Sequence, residues 1–134
     1  MITALAHVCY IARDLDAAID FYCNKLGLGH AFDFTNEEGE RFGVYLKVGG
    51  RSFIELFVGT PEATPDRGSY QHLCLEVDDL PATVASLKEK GVEVSDPSFG
   101  SDNSWQSWIA DPDGNRIELH CYSEASKQLP HLED

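Results

Sequence analysis

The sequence has few basic residues, since 10 Lys and Arg stand against 23 Asp and Glu in 134 residues, a formal net charge of −13. Such an acidic chain repels phosphate backbones and anionic lipids, so neither nucleic acid nor a membrane is expected as a partner. No apolar run is long enough to span a bilayer. The opening MITALAHVCY lacks the basic and apolar regions of a signal peptide, which predicts a cytoplasmic protein.

The cysteines lack the Cys-x-x-Cys spacing of redox and zinc motifs, although the chain has four of them: Cys9, Cys23, Cys74 and Cys121. In a cytosolic chain of this length they are expected to remain thiols. With 43% hydrophobic residues the chain can bury a core, and its length suits one domain.

The chain repeats itself. The segment HVCYIARDLDAA, which starts at His7, aligns without gaps with HLCLEVDDLPAT, which starts at His72. FIELF and RIELH align in the same way, so that Glu55 matches Glu118. This repeat predicts a single domain over 1–134 that is built from two modules. Module one covers 1–58, a linker rich in Gly, Pro and Thr covers 59–68, module two covers 69–122, and a polar tail, expected to be loosely held, covers 123–134.

Each module is predicted to have a βαβββ order. A strand rich in β-branched and aromatic residues precedes an apolar stripe of helical spacing, which is Leu15, Ile19, Tyr22 and Leu26 in module one and Leu80, Val84 and Leu87 in module two. Asp14 and Asp79 are expected to cap these helices, and Gly27 and Gly91 to end them. The later strands are predicted near 30–35, 41–48, 52–58, 93–96, 104–110 and 116–121.

Alternation along the strands places His7 and Glu55 on one sheet face of module one, and His72 and Glu118 on one face of module two. A carboxylate inside a strand is costly unless it is paired or bound to a metal. Two histidines and two glutamates at symmetric positions therefore predict four ligands to one divalent cation. Imidazole and carboxylate ligands suit Ni, Zn or Co, with Mn and Fe as further options.

Five other residues lie close to this predicted site in the sequence. Cys9 and Cys74 share its sheet face and are expected to be small lining residues. His120 is two residues beyond Glu118 and is placed at the rim. Trp105 and Trp108 have opposite parity along one strand, so at most one of them lines the site while the other packs or is exposed, and core packing is the expected role of either.

Four segments resemble the vicinal oxygen chelate superfamily of glyoxalases, bleomycin-resistance proteins and extradiol dioxygenases: LAHVCYIARDLDAAIDFYCNKLG, FIELF, YQHLCLEVDDL and DPDGNRIEL. The likeness covers residues 1–122. It implies an α+β fold in which two tandem βαβββ modules form a cupped mixed sheet around a metal site. It also implies that the metal ligands are His7, Glu55, His72 and Glu118. Many small members form homodimers that share these ligands, so a homodimer is expected, and whether the site lies within one chain or across two stays open.

Within the superfamily the chain is most similar to lactoylglutathione lyase (glyoxalase I)-related proteins. This resemblance implies a metal-dependent lyase or isomerase of a small-molecule substrate, in which the metal stabilises an enediolate as a Lewis acid. It assigns Glu118 as the base, with Glu55 as ligand and second base. Ile11 stands where those lyases carry an arginine that binds the glutathione carboxylates. The sequence therefore leaves open whether glutathione is part of the substrate.

Two alternatives remain. An extradiol-type dioxygenase or another Fe(II) enzyme of the superfamily uses two histidines and one carboxylate, so the second carboxylate, Glu55, favours redox-neutral chemistry. A binding protein that holds a small molecule without turnover is the other alternative. Such members usually lack the metal ligands that this chain retains.

Overall fold

The computed structural model describes Leu5 and residues 7–60 and 72–132. The chain divides into two compact units, Met1–Ser69 and Tyr70–Asp134. Each unit has one four-stranded mixed sheet and few helices, which confirms the predicted α+β class with two βαβββ modules. The module boundaries stay a prediction, and most of the predicted linker lies outside the described residues.

Unit 1 has the strand order β1-β4-β3-β2. β1 and β4 are parallel, while β3 runs antiparallel to both β2 and β4. The helix carries the chain from β1 across the sheet to β2, and two antiparallel connections then bring β4 back parallel to β1. The elements are β1 (His7–Ala12), α1 (Leu15–Ile19), β2 (Gly29–Thr35), β3 (Arg41–Gly49) and β4 (Ser52–Val58).

The first helix begins at the predicted cap, where the Asp14 carboxylate accepts a hydrogen bond from the Ala17 amide at 3.0 Å. It then widens into a π-helix over Asp20–Lys25. The wider turn buries two adjacent rings, Phe21 and Tyr22, where the predicted α-helical stripe contained only one of them. The predicted stop is confirmed, since Gly27 adopts a φ of 82° just after the helical segment.

Unit 2 repeats this topology with the order β5-β8-β7-β6, and β5 is parallel to β8. Its helix shows the predicted cap, because Asp79 accepts from the Ala82 amide at 3.0 Å, and the predicted apolar stripe is buried. The elements are β5 (Leu73–Glu76), α2 (Leu80–Glu89), β6 (Ser98–Phe99), β7 (Trp105–Ala110), β8 (Arg116–Cys121) and a 3-10 turn (Leu129–His131).

The strand predicted at 93–96 is wrong. Val94 is buried there, but the backbone makes only a loose connection to β7, in which the Ser95 amide donates to the Trp108 carbonyl at 3.1 Å. The Ser95 hydroxyl accepts from the Trp108 amide, and this bond takes the place of a ladder bond. Pro97 then offers no donor, so regular pairing with β7 starts only after it.

The first half of the tail is also not loose, contrary to the prediction, and residues 133–134 lie outside the described residues. Ser126 is buried, and its hydroxyl lies 2.7 Å from that of Ser104. The Gln128 amide donates to the Asp102 carboxylate at 2.6 Å. Hydroxyl and amide side chains therefore fix the first half of this polar tail against the loop before β7, where hydrophobic patterning gave no signal.

Each sheet packs one face on its helix, and we call the opposite face the open face. The predicted alternation is confirmed, because the buried apolar side chains of the strands share the helix-facing parity. Among the described residues no helix is long and apolar enough to cross a membrane, and the cytoplasmic location stays a prediction. The strand residues that face the helix and form the core are Tyr10, Val44, Leu46, Ile54 and Leu56 in unit 1, and Ile109, Ile117 and Leu119 in unit 2.

Candidate metal centre

In unit 1 the two predicted ligands lie together on the open face. His7 is on β1 and Glu55 on the neighbouring strand β4, and the register pairs Cys9 with Glu55. The His7 Nε2 atom lies 3.8 Å from the Glu55 Oε1 atom, and the carboxylate side chain is only 16% exposed. One imidazole nitrogen and one carboxylate oxygen therefore converge at a partly desolvated point.

A tyrosine that the sequence reasoning missed holds the first histidine. Tyr45 pairs with Glu55 across β3 and β4, and its hydroxyl lies 2.8 Å from His7 Nδ1. A contact on Nδ1 orients the ring so that Nε2 faces Glu55, which is how outer-shell partners orient metal-binding histidines. The repeat contained a sequence signal for Tyr45. This residue stands at the same distance before Glu55 as Trp108 does before Glu118, so the two aromatic residues are equivalent in the two modules.

Unit 2 brings its two predicted ligands closer together. The His72 Nε2 atom lies 3.2 Å from Glu118 Oε2, and Glu118 as a residue is 9% exposed. The register places Glu118 opposite Cys74 on β5 and opposite Trp108 on β7. His72 immediately precedes β5 and reaches the same open face.

The two tryptophans lie on opposite faces as predicted, with one beside the site and the other exposed, but the core packing expected for either is wrong. Trp108 lies on the open face, where its ring meets His72 edge-on at 4.9 Å between centroids, and the Arg116 guanidinium lies 4.4 Å from its centroid. Trp105 is 44% exposed and packs against Phe99. Trp105 is exposed because its neighbouring strand β6 has only two residues and does not cover the ring. Trp108 lies on the open face because it stands opposite Glu118 in the register of β7 and β8.

The rim position expected for His120 is also wrong, because this residue is 6% exposed. Its Nδ1 atom lies 3.2 Å from Glu118 Oε1. Its Nε2 atom lies 3.7 Å from Asp102 Oδ2 and makes no hydrogen bond among the described residues. The ordered tail explains the burial, since Gln128 holds Asp102 over the end of β8.

The cysteines are free thiols, as expected. Cys9 and Cys74 keep exposed surface, but their sulfur atoms are partly desolvated. This desolvation, reinforced by the Glu55 carboxylate, raises the pKa of Cys9 to about 11. Desolvation and the negative charge of Glu118 raise the pKa of Cys74 to about 12. Both open-face cysteines therefore keep their proton at neutral pH unless a cation replaces it.

Aromatic rings surround the His7 and Glu55 pair on the open face of unit 1. Phe32 stacks on Tyr45 at 4.8 Å between centroids, and Phe53 lies 5.0 Å from the same ring. Phe57 lies over Gly43, where a Cβ atom would meet the ring at 2.6 Å. The cluster, which we call the aromatic wall, consists of Phe32, Phe34, Phe42, Tyr45, Phe53 and Phe57.

Residues 4–119 match the glyoxalase/bleomycin resistance protein/dioxygenase superfamily. The chain belongs to this superfamily. Curated relatives named probable lactoylglutathione lyase are 30% identical, one from Synechocystis over 86% of this chain and 92% of the relative, and one from Vibrio parahaemolyticus over 93% and 95%.

Solved structures agree with the fold. TnmS3, an antibiotic-binding protein from Streptomyces, is 30% identical with a TM-score of 0.74, over 91% of this chain and 98% of that one. A superfamily member from Sphaerobacter thermophilus is 28% identical with a TM-score of 0.73, over 90% and 98%. A lactoylglutathione lyase from Agrobacterium tumefaciens, at 24% identity and a TM-score of 0.68 over 90% and 94%, shows the fold alone.

The structure thus gives each unit its own His–Glu pair on an open face. His7 lies with Glu55 and His72 lies with Glu118, while the single centre that joins the two pairs stays a prediction. Similar proteins include both probable lyases and an antibiotic-binding protein. The function therefore depends on whether the two His–Glu pairs bind a metal ion.

Proposed function

We propose that this protein is a metal-dependent lyase or isomerase of the lactoylglutathione lyase type. One observation carries the proposal: both halves of the repeat present a histidine nitrogen and a glutamate oxygen, 3.8 Å and 3.2 Å apart, on the open face of their sheet. Relatives named probable lactoylglutathione lyase over most of the chain support the same reading.

The donor set fits a divalent cation. Within the described residues neither Glu55 nor Glu118 has a Lys or Arg ion-pair partner, although both carboxylates are largely buried. Two such carboxylates neutralise a 2+ ion, and two imidazoles complete a set of four nitrogen and oxygen donors. His7, Glu55, His72 and Glu118 would hold the ion, with Ni, Zn or Co favoured over Mn or Fe.

A bound divalent ion supplies Lewis acidity, which stabilises negative charge on a substrate oxygen and so acidifies the neighbouring C–H bond. Glu118 accepts that proton on a carboxylate oxygen and returns it to the adjacent carbon, as a general base and then a general acid. Glu55 acts as a ligand and second base. Tyr45 orients His7 through Nδ1, at 2.8 Å.

The test is a rate measurement on protein that has been stripped of metal and then restored separately with Ni, Co, Zn, Mn or Fe. The substrate is the hemithioacetal of methylglyoxal and glutathione. We expect turnover with at least one metal, none without metal, and a loss of about 100-fold or more in Glu118→Gln. The exposed Glu93→Gln variant is the matched control. Equal turnover by the stripped protein would overturn the Lewis-acid mechanism.

One observation favours a second candidate, a small-molecule binding protein without turnover. The aromatic wall offers stacking surface for a planar ligand, and the similar TnmS3 is an antibiotic-binding protein. Tight binding of a planar aromatic compound by metal-free protein, without consumption of it, would favour this candidate. Oxygen uptake with Fe(II) and a catechol would instead favour the dioxygenase alternative.

The homodimer that shares ligands between subunits is part of the proposal. Its test is the mass of the metal-bound protein in solution at micromolar concentration. A monomer that retains the metal would contradict the shared site.

A further inference from the structure

The two halves of the repeat differ on the open face at a position that bears on metal binding. The pairs Cys9–Glu55 and Cys74–Glu118 are equivalent, since each cysteine stands opposite its glutamate across parallel strands. Two residues after the glutamate, however, the first half has Phe57 in the aromatic wall and the second half has a buried His120. Unit 2 therefore has a buried histidine beside its Cys–Glu pair, at a position where unit 1 has a phenylalanine.

We propose that Cys74, Glu118 and His120 form a second metal site, which binds a thiophilic divalent cation such as Zn²⁺ or Cd²⁺ within unit 2. One ligand atom from each residue lies within 4.8 Å of the other two. Metal–ligand bonds of about 2.0–2.3 Å place tetrahedral ligand atoms about 3.5 Å apart. Side-chain movements of about 1 Å would therefore bring the three ligand atoms to bonding distance from one ion.

The surroundings of His120 point to a cation. Its Nδ1 faces the Glu118 carboxylate at 3.2 Å, and its Nε2 faces the Asp102 carboxylate at 3.7 Å without a hydrogen bond. A neutral imidazole has one N–H, so either tautomer points a lone pair at a carboxylate. A metal on Nδ1 removes this conflict, because Nε2–H then faces Asp102, as in carboxylate–histidine–metal arrangements.

The charges and the access of the site also suit such an ion. One thiolate and one carboxylate neutralise a 2+ cation, and a thiolate selects soft metals. On binding, the Cys74 S–H proton is released to solvent and the sulfur lone pair forms the new bond to the metal, so no oxidant or reductant is needed. Cys74 is exposed, which gives the ion a route to the buried Glu118 and His120.

This site rests on the proposed function only in sharing Glu118, whose Oε2 faces His72 while Oε1 faces His120. The two ligand sets compete for one carboxylate. The test therefore uses the full chain with His7→Ala, Glu55→Gln and His72→Ala, which removes three of the four ligands of the proposed lyase centre and leaves the unit 2 set intact.

Co²⁺ is the probe, because a bound thiolate gives a charge-transfer absorption in the near ultraviolet. We expect one Co²⁺ per chain with this absorption, and its displacement by Cd²⁺. Adding Cys74→Ser should abolish the absorption, and adding His120→Ala should weaken Cd²⁺ binding by more than the roughly 10–100-fold typical of an outer-shell loss. Cys9→Ser, the equivalent cysteine in unit 1, where Phe57 stands at the position of His120, is the matched control and should change neither measurement.

Three results would overturn the site: no thiolate absorption in the triple variant, absorption that persists in Cys74→Ser, or equal losses in Cys9→Ser and Cys74→Ser. The competing explanation, that His120 only makes a hydrogen bond with Glu118 and holds no metal, predicts the first of these results. Failure of the lyase assay leaves all of these measurements unchanged, so the two proposals fail separately.

Discussion

Replacing Tyr45 with Phe removes one hydroxyl and keeps the ring, and we predict weaker metal binding with little change in stability. The hydroxyl lies 2.8 Å from His7 Nδ1, which is the length of a normal hydrogen bond. The ring contacts with Phe32 and Phe53 do not involve the oxygen and should persist. The variant therefore isolates the orientation of His7.

The size of the effect follows from the bond and its setting. The His7 side chain is 40% exposed, so the bond should contribute the usual net value of about 0.5–1.5 kcal/mol rather than the larger value of a buried charged pair. If all of that free energy orients the ligand, the affinity for Ni²⁺ or Zn²⁺ falls by about 2- to 13-fold.

The assay is competition with a chromophoric chelator, run beside a urea unfolding curve for each variant. Tyr122→Phe is the matched control, because the Tyr122 ring contacts His120 rather than His7. An unchanged affinity in Tyr45→Phe would refute the orienting role. A loss above about 100-fold would also refute it, because an effect of that size exceeds an outer-shell contribution and would make the hydroxyl a ligand.

Two further predictions concern stability. Asp79→Ala should destabilise unit 2 by about 1 kcal/mol in urea unfolding, because the carboxylate caps α2 at 3.0 Å from the Ala82 amide, whereas the neighbouring Asp78→Ala should change little. Hydrogen bonding from His30 lowers the pKa of Asp33 below its ordinary value of 3.8, so this carboxylate stabilises the fold above about pH 4, and the contribution is lost as pH falls through the lowered pKa. Asp33→Asn should thus reduce the unfolding free energy at pH 7 and have a smaller effect near pH 3, and an equal effect at both would contradict this.

The repeat made most of the fold predictable from sequence. Periodicity and capping residues placed both helices, and strand alternation placed His7, Glu55, His72 and Glu118 on the open faces. These are local signals, in which the side-chain direction follows from the backbone period alone. The single centre they are predicted to share depends on packing between elements, which no local period encodes.

The errors share a physical cause, since each depended on a contact between distant segments. The strand at 93–96 failed because Ser95 and Pro97 disrupt its ladder with β7. His120 looked like a rim residue because the polar tail that buries it gives no hydrophobic signal. Tyr45 was missed because its role depends on cross-strand register, although the repeat relation to Trp108 contained the information.

The most direct test of the central claim is the stoichiometry and affinity of Ni²⁺ binding in the parent protein, His7→Ala and His72→Ala. If the two halves of the repeat supply one shared centre, each variant should weaken Ni²⁺ binding to a similar extent, and by more than Tyr45→Phe does. Ni²⁺ binding that is unchanged in His7→Ala but lost in His72→Ala would contradict the shared centre and confine the metal to unit 2.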